Sequence, residues 1–192
     1  TEAADEFDVT PAQMRSMADE IRRVMGSLAQ NGQVTVSEGA FGISIEINAA
    51  LLFAPGEAAL GGSASEALRA VAQVLAASVF PITIEGHTDN TPINTYRFPS
   101  NWELSAVRAS TVARLFIDSG VRPDRLTAAG YADQRPVADN AAEAGRGRNR
   151  RVTILIESRV AEPEPVGKPV RASGVADSIL PPDAAPPQPG AT

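Results

Sequence analysis

The sequence predicts an α/β sandwich, and three observations predict it. Apolar residues alternate in steps of two over Val34–Val36, Phe41–Ile47 and Val152–Ile156, the period of strands with one buried face. Helical stripes, Leu68-Val71-Val74-Leu75 and Leu104-Val107-Val112-Leu115-Phe116, fall between strand segments. Right-handed crossovers then carry both helices to one face of the sheet. The other face is left either to an N-terminal helix or to solvent.

Taken in order, Thr10–Gln30 is expected to be a helix, with Thr10 as N-cap, Pro11 at the first helical position and a stop at Asn31-Gly32. Its stripe of Met14, Met17, Ile21, Val24, Met25 and Leu28 suits packing on its own domain or on a second copy. Gln33–Ser37 and Phe41–Asn48 are strands, turning at Glu38-Gly39. A short apolar segment, Leu51–Phe53, precedes a Ser63–Ser78 helix capped by Ser63 with Glu66 three residues on. Pro81–His87 is a strand with Ile82 and Ile84 inward, Thr88–Asn101 a polar loop, and Trp102–Ser119 a helix ended by Gly120. Leu126–Tyr131 is a short strand. Asp133–Gly147 is a loop with at most a helical turn at Ala141–Ala144, and Arg151–Glu157 is the last strand. From Ala161 onward prolines recur and large apolar residues are few, so this segment is read as a disordered or extended tail. The expected organisation is a linker and helix over 1–32, a domain over 33–160 and a Pro-rich tail over 161–192.

Composition narrows the chemistry. The 192 residues, 43% of them hydrophobic, suit one domain with tails. A net charge of −6 offers no general field for nucleic acid. With no cysteine, disulfides, thiolate metal sites and cysteine catalysis are excluded, and a single histidine excludes a polyhistidine metal site within one chain. No cofactor or metal is expected. The longest apolar-leaning run, Val71–Ile84, is interrupted by Gln73, Ser78 and Pro81, so no bilayer span is expected. Residues 1–6 do not read as a natural start, which suggests a fragment or mature form with a membrane anchor upstream.

Candidate chemistry concentrates between Glu85 and Arg151. Gly86-His87-Thr88-Asp89-Asn90 lies where a strand gives way to a loop, a position from which polar side chains meet ligands. Leu104-Ser105-Ala106-Val107-Arg108-Ala109 lies in the following helix, and Gly145-Arg146-Gly147-Arg148-Asn149-Arg150-Arg151-Val152 leads into the last strand. Together they supply one carboxylate and several forked donors. An Asp accepts from an ammonium and a guanidinium grips a carboxylate, so a ligand with a free amino-acid end is one fit among several.

These three motifs, in this order, resemble the OmpA-like peptidoglycan-binding domain family. The resemblance runs from about Phe41 to Glu157 and includes Phe53-Ala54-Pro55-Gly56. It implies a β-α-β-α-β sandwich with a mixed sheet and non-covalent binding of peptidoglycan in Gram-negative envelopes, without enzymatic activity. By that resemblance Asp89 and Arg108 hold the termini of diaminopimelate in a stem peptide, and Thr88, Asn90, Leu104, Asn149 and Arg150 lie around the same pocket, with Asn149 fixing a loop. The longer segment Phe98-Pro99-Ser100-Asn101-Trp102-Glu103 resembles the stator proteins of the flagellar motor, MotB and its relative MotD. That implies a homodimer in the periplasm, anchored in the inner membrane and meeting its partner MotA only through a membrane segment upstream. A general envelope tether of the OmpA or Pal kind shares the pocket and is the alternative, with a wall-degrading enzyme behind it.

Other readings weigh against single residues. Arg150 and Arg151 point to opposite faces of a strand, so Arg151 is expected to be structural. His87 is expected to be a satisfied strand-end histidine and Trp102 a core or loop anchor. Glu85 and Asp89 do not suit an acid/base pair beside several arginines.

Overall fold

The computed structural model describes residues 11–26, 28 and 32–158. The readings placed on residues 1–10, Asn31 and the Pro-rich segment lie outside them.

Helix α1 spans Pro11–Val24 and ends earlier than its stripe suggested, since the chain continues through Met25 and Gly26 as turns. Met14, Ala18, Ile21 and Met25 are buried in the same core as the sheet and the later helices. The amphipathic stripe is therefore used within the domain. Strands β1 (Val34–Gly39) and β2 (Gly42–Asn48) form a hairpin whose Gly39↔Gly42 register leaves Ala40-Phe41 as the turn. The expected turn at Glu38-Gly39 is thus displaced. Phe41, read as a strand residue, sits on the tip and is 83% exposed. Gly42 takes the strain of this tight connection at φ 134°, and a Cβ there would lie 1.9 Å from the Ile156 carbonyl oxygen.

Asn48 caps α2 (Ala49–Leu52) by accepting from the Ala50 N–H at 2.9 Å. Helix α3 covers Gly62–Ala76, one residue ahead of the expected cap. Its N-cap is Gly61, and Ser63 is already helical, so the Ser63–Glu66 capping box does not form. Strand β3 (Ile82–His87) buries Ile82 and Ile84 as expected. Helix α4 (Asn101–Asp118) is capped by Ser100, which accepts from the Trp102 N–H at 3.1 Å and donates to Glu103. Val107, counted in the α4 stripe, is 42% exposed. Strand β4 (Leu126–Gly130) follows a 3-10 turn, and α5 (Glu143–Asn149) replaces the expected loop. Strand β5 (Arg151–Glu157) closes the described chain.

The sheet order is β1-β2-β5-β3-β4. Only the β3–β4 pair is parallel; β5 runs antiparallel between β2 and β3. The sheet is mixed, and α1, α3 and α4 share a single core with its inner face, where Ile43, Ile45, Ile47, Ile82, Ile84, Val152, Ile154 and Ile156 lie. Each fully buried Ile or Leu contributes about 1.5–3 kcal/mol. The N-terminal helix therefore joins the other helices, and the opposite face carries polar residues such as Ser44, Glu46, Thr83 and Glu85, half-buried or exposed. Two glycines seat α4 on the sheet. A Cβ on Gly86 would lie 2.0 Å from the Ser105 carbonyl oxygen, and one on Gly130 would lie 2.4 Å from the Ala106 nitrogen.

Candidate functional site

The carboxyl ends of β3 and α2 and the start of α4 frame a cleft of about 730 Å³. One wall comes from residues 49–56 and 59–61; the other is built from Thr88, Asp89, Thr91, Pro92, Ile93, Asn101, Leu104 and Arg108, with Arg150 at its margin. A separate small core of Ala58, Phe98 and Leu104, with Ile93 against it, ties the second wall to the first.

Thr88 is held at the end of β3 by its N–H, which donates to the Ala132 carbonyl at 2.8 Å. Its hydroxyl donates to the Asp89 carbonyl at 2.8 Å. Asp89 is buried. Its Oδ1 accepts from the Thr91 N–H at 2.8 Å, a local turn that only a short acceptor side chain can make, and its Oδ2 accepts from Arg150 Nη1 at 2.6 Å. Burial alone would raise this carboxyl, but the bonds from Arg150 and Thr91 together outweigh it and hold the group below the ordinary carboxylate range. Asp89 is thus an anion at neutral pH.

Arg108 is also buried. Its Nε donates to the Glu57 carbonyl at 2.8 Å, Nη2 points at the Ala54 carbonyl at 3.5 Å, and the guanidinium lies 4.9 Å from the Phe53 ring centroid. Among the described residues no carboxylate lies within ion-pair distance of it. Burial, followed by the Arg150 charge, lowers its pKa to about 10, which still leaves it a cation at neutral pH. A cation taken out of water without a counter-ion is costly, so the cleft presents an anion-receptive group next to a carboxylate. Asp89 and Arg108 line one cleft and do not pair with each other.

Arg150 bridges two carboxylates, Asp89 through Nη1 and Glu143 through Nη2 at 2.5 Å. Glu143, then Asp89, raises its pKa. Of the other expected site residues, Thr88 and Leu104 line the cleft. Asn90 is exposed and does not. Asn149 does not line it either. It is fully buried, with Oδ1 accepting from the Val137 and Ala138 N–H groups and Nδ2 donating to the Ala138 carbonyl and Asn140 Oδ1. All its hydrogen-bonding capacity goes to the 137–140 loop.

The opposite face of the sheet receives the remaining polar residues. Glu85 contacts His87 at 3.3 Å and Arg135 at 3.4 Å, far from any pairing with Asp89. His87 stacks on Tyr131, and its ring nitrogen Nδ1 has no hydrogen-bond partner among the described residues, so it is only half satisfied there. Burial, then the Arg151 and Arg135 charges, lowers its pKa to about 4. Arg151 is buried and donates to the Asn149 and Arg135 carbonyls, consistent with a structural part. Trp102 is 51% exposed and anchors no core. The residues that sequence reasoning missed are those of the apolar wall, Leu51, Leu52, Phe53 and Leu60, and the Glu57 carbonyl. None carries a polar side-chain signature toward the cleft; only the Phe53–Gly56 motif pointed there.

The OmpA family's sequence profile matches residues 52–150, just over half of the chain. Motility protein B of Bacillus subtilis is 44% identical over 81 residues, 42% of this chain and 31% of that protein. Among solved structures, the cell wall anchor of the T6SS from Pseudomonas aeruginosa superposes with a TM-score of 0.66 at 35% identity, covering 71% of this chain and 96% of that one. A putative MotB-like protein from Desulfovibrio vulgaris does so with a TM-score of 0.69 at 30% identity, covering 78% and 96%. The chain spans about half or less of the length of the curated relatives it matches. With the profile match, the shared fold and three ordered motifs that meet around one cleft, the chain belongs to the OmpA family.

Proposed function

We propose that this domain binds peptidoglycan non-covalently and anchors a flagellar motor stator to the cell wall. The observation that carries the binding reading is the buried, carboxylate-free guanidinium of Arg108 in the same cleft as the ionised Asp89. A free amino-acid end complements both groups: its carboxylate meets the Arg108 fork and its ammonium meets the acceptor position that Asp89 keeps open beside Arg150. The diaminopimelate of a stem peptide carries such an end. The largely apolar wall from Leu51 to Leu60 suits the aliphatic chain between its two amino-acid centres. The domain would act in the periplasm as a non-enzymatic tether, and as a homodimer in the stator.

The test is co-sedimentation with purified peptidoglycan sacculi. The wild type is expected to pellet with sacculi, and folded Asp89→Ala and Arg108→Ala variants to remain in solution. Equal sedimentation of all three would refute the pocket.

Similarity to Motility protein B and to a MotB-like structure supports the motor reading. Similarity to a T6SS cell wall anchor at 35% identity supports a general envelope tether that shares the pocket. Swimming separates them. In a strain carrying the full-length gene with Arg108→Ala, the motor reading expects flagella that are assembled but do not drive swimming; unaltered swimming favours the tether.

A further inference from the structure

Glu143 stands outside the cleft wall, yet it holds the second nitrogen of the arginine that touches Asp89. Arg150 Nη1 sits 2.6 Å from Asp89 Oδ2, while Nη2 sits 2.5 Å from Glu143 Oε1. Glu143 is itself fixed by Arg146, whose Nε donates to Oε2 at 3.0 Å, and Arg146 Nη1 donates to the Asn140 carbonyl at 2.9 Å. Asn140 in turn accepts from the buried Asn149. The network therefore runs from the rigid 137–140 loop through Arg146 and Glu143 to Arg150.

A guanidinium released from one partner turns its fork onto the other. Arginine and carboxylate favour a bidentate pairing with two parallel bonds. In the observed arrangement Arg150 gives Asp89 only one N–H, the Thr91 N–H gives it one more, and the Thr91 side chain also bonds to it. A carboxylate has about four acceptor positions, so one stays open. This is the position an incoming ammonium needs.

We propose that Glu143 is a positioning residue that holds Arg150 in single contact with Asp89 and thereby keeps the Asp89 carboxylate able to accept a ligand's ammonium group. This inference rests on the zwitterion-binding reading of the cleft and extends it to a residue that lines no part of it. Without the Glu143 carboxylate, Arg150 forks onto Asp89 and its second N–H takes the remaining acceptor position. The ammonium end of a ligand loses its partner, while the carboxylate end, at Arg108, does not. Glu143 is exposed and its ion pairs are solvated, so its removal leaves the fold intact.

The experiment uses Glu143→Gln and Glu143→Asp in the full chain, with meso-diaminopimelate and its amine-free analogue pimelate as probes. Glu143→Gln is expected to weaken diaminopimelate about tenfold, roughly one charge-assisted hydrogen bond, and to leave pimelate unchanged. Glu143→Asp is expected to recover part of the loss. A readout without ligand accompanies it: the carbon NMR titration of the Asp89 carboxyl should move to lower pH in Glu143→Gln. An unmoved Asp89 titration with unchanged diaminopimelate affinity overturns the proposal, as does an equal loss for both probes. Failure of the wild type to bind diaminopimelate would sink the zwitterion reading instead, and the Asp89 titration would still decide whether Glu143 sets the position of Arg150.

Discussion

At Arg108 the burial of a guanidinium is offset by two carbonyls, an aromatic face and the more distant charge of Glu57, with no carboxylate in ion-pair contact among the described residues. Side-chain shape therefore matters as much as charge. Arg108→Lys keeps the cation but cannot present a planar fork while also reaching the Glu57 carbonyl. It is expected to lose about tenfold in affinity for sacculi, roughly the worth of one charge-assisted bond, with little change in the urea midpoint. Asn149 makes the opposite case. Its four side-chain hydrogen bonds are all internal, so Asn149→Ala leaves part-buried backbone groups of the 137–140 loop unpaired. Urea unfolding should show a loss of about 3 kcal/mol, the scale of several internal hydrogen bonds lost together. The sequence could name both residues through their motifs. It could not separate their roles, because an arginine or asparagine in a motif looks the same whether it faces a cleft or a loop. Asn90 shows this directly: it adjoins Asp89 in sequence and is not among the residues lining the cleft.

Strands were legible at the scale of elements because a period of two with one buried face leaves little choice, as in Ile43-Ile45-Ile47 and Val152-Ile154-Ile156. Boundaries set by glycine were not. Helix α5 contains Gly145 and Gly147, each costing about 1 kcal/mol relative to Ala in a helix. Gly145 is required there because a Cβ would lie 1.8 Å from the Asp139 carbonyl oxygen. The close approach that fixes Arg150 thus erased the helical signature. Helix α3 starts at Gly62 instead of behind Ser63 for a related reason: Gly61 is tied by its N–H to the Leu52 carbonyl, which places the first turn one residue early. Gly86 and Gly130 let α4 sit directly on β3 and β4. Gly130→Ala is expected to lower stability by about 2–3 kcal/mol through overpacking and to weaken sacculus binding, since Arg108 rides on the same helix. Thermal unfolding and co-sedimentation read the two effects separately.

Over the whole molecule, α1 shares the core with the sheet, so the boundary read at residue 32 divides residues that pack together. Deleting residues 1–26 should uncover the parts of α3, β1 and β2 that α1 packs on and lower the thermal midpoint, whereas α1 acting only as a tether would leave it unchanged. The pH dependence of stability also belongs to this scale. His87 has a folded pKa of about 4 against an ordinary 6.5. Above pH 6.5 neither the folded nor the unfolded chain carries its proton. As pH falls from 6.5 to 4, the unfolded chain takes up a proton that the folded chain refuses, and stability declines. Below about 4 this group adds no further loss. Asp89, whose pKa is depressed, contributes its loss at lower pH still. Urea midpoints measured from pH 7 to 4 should therefore fall, and His87→Asn should flatten that interval.

Binding turns on where a stem peptide sits. Amide and side-chain NMR shift mapping of the chain titrated with a diaminopimelate-containing tripeptide locates it. Saturable shifts are expected at Asp89, Thr91, Leu104 and the Arg108 guanidinium, with the open sheet face around Glu85 and Tyr131 unmoved. Shifts confined to that open face, or none at the cleft under saturating peptide, would contradict that placement.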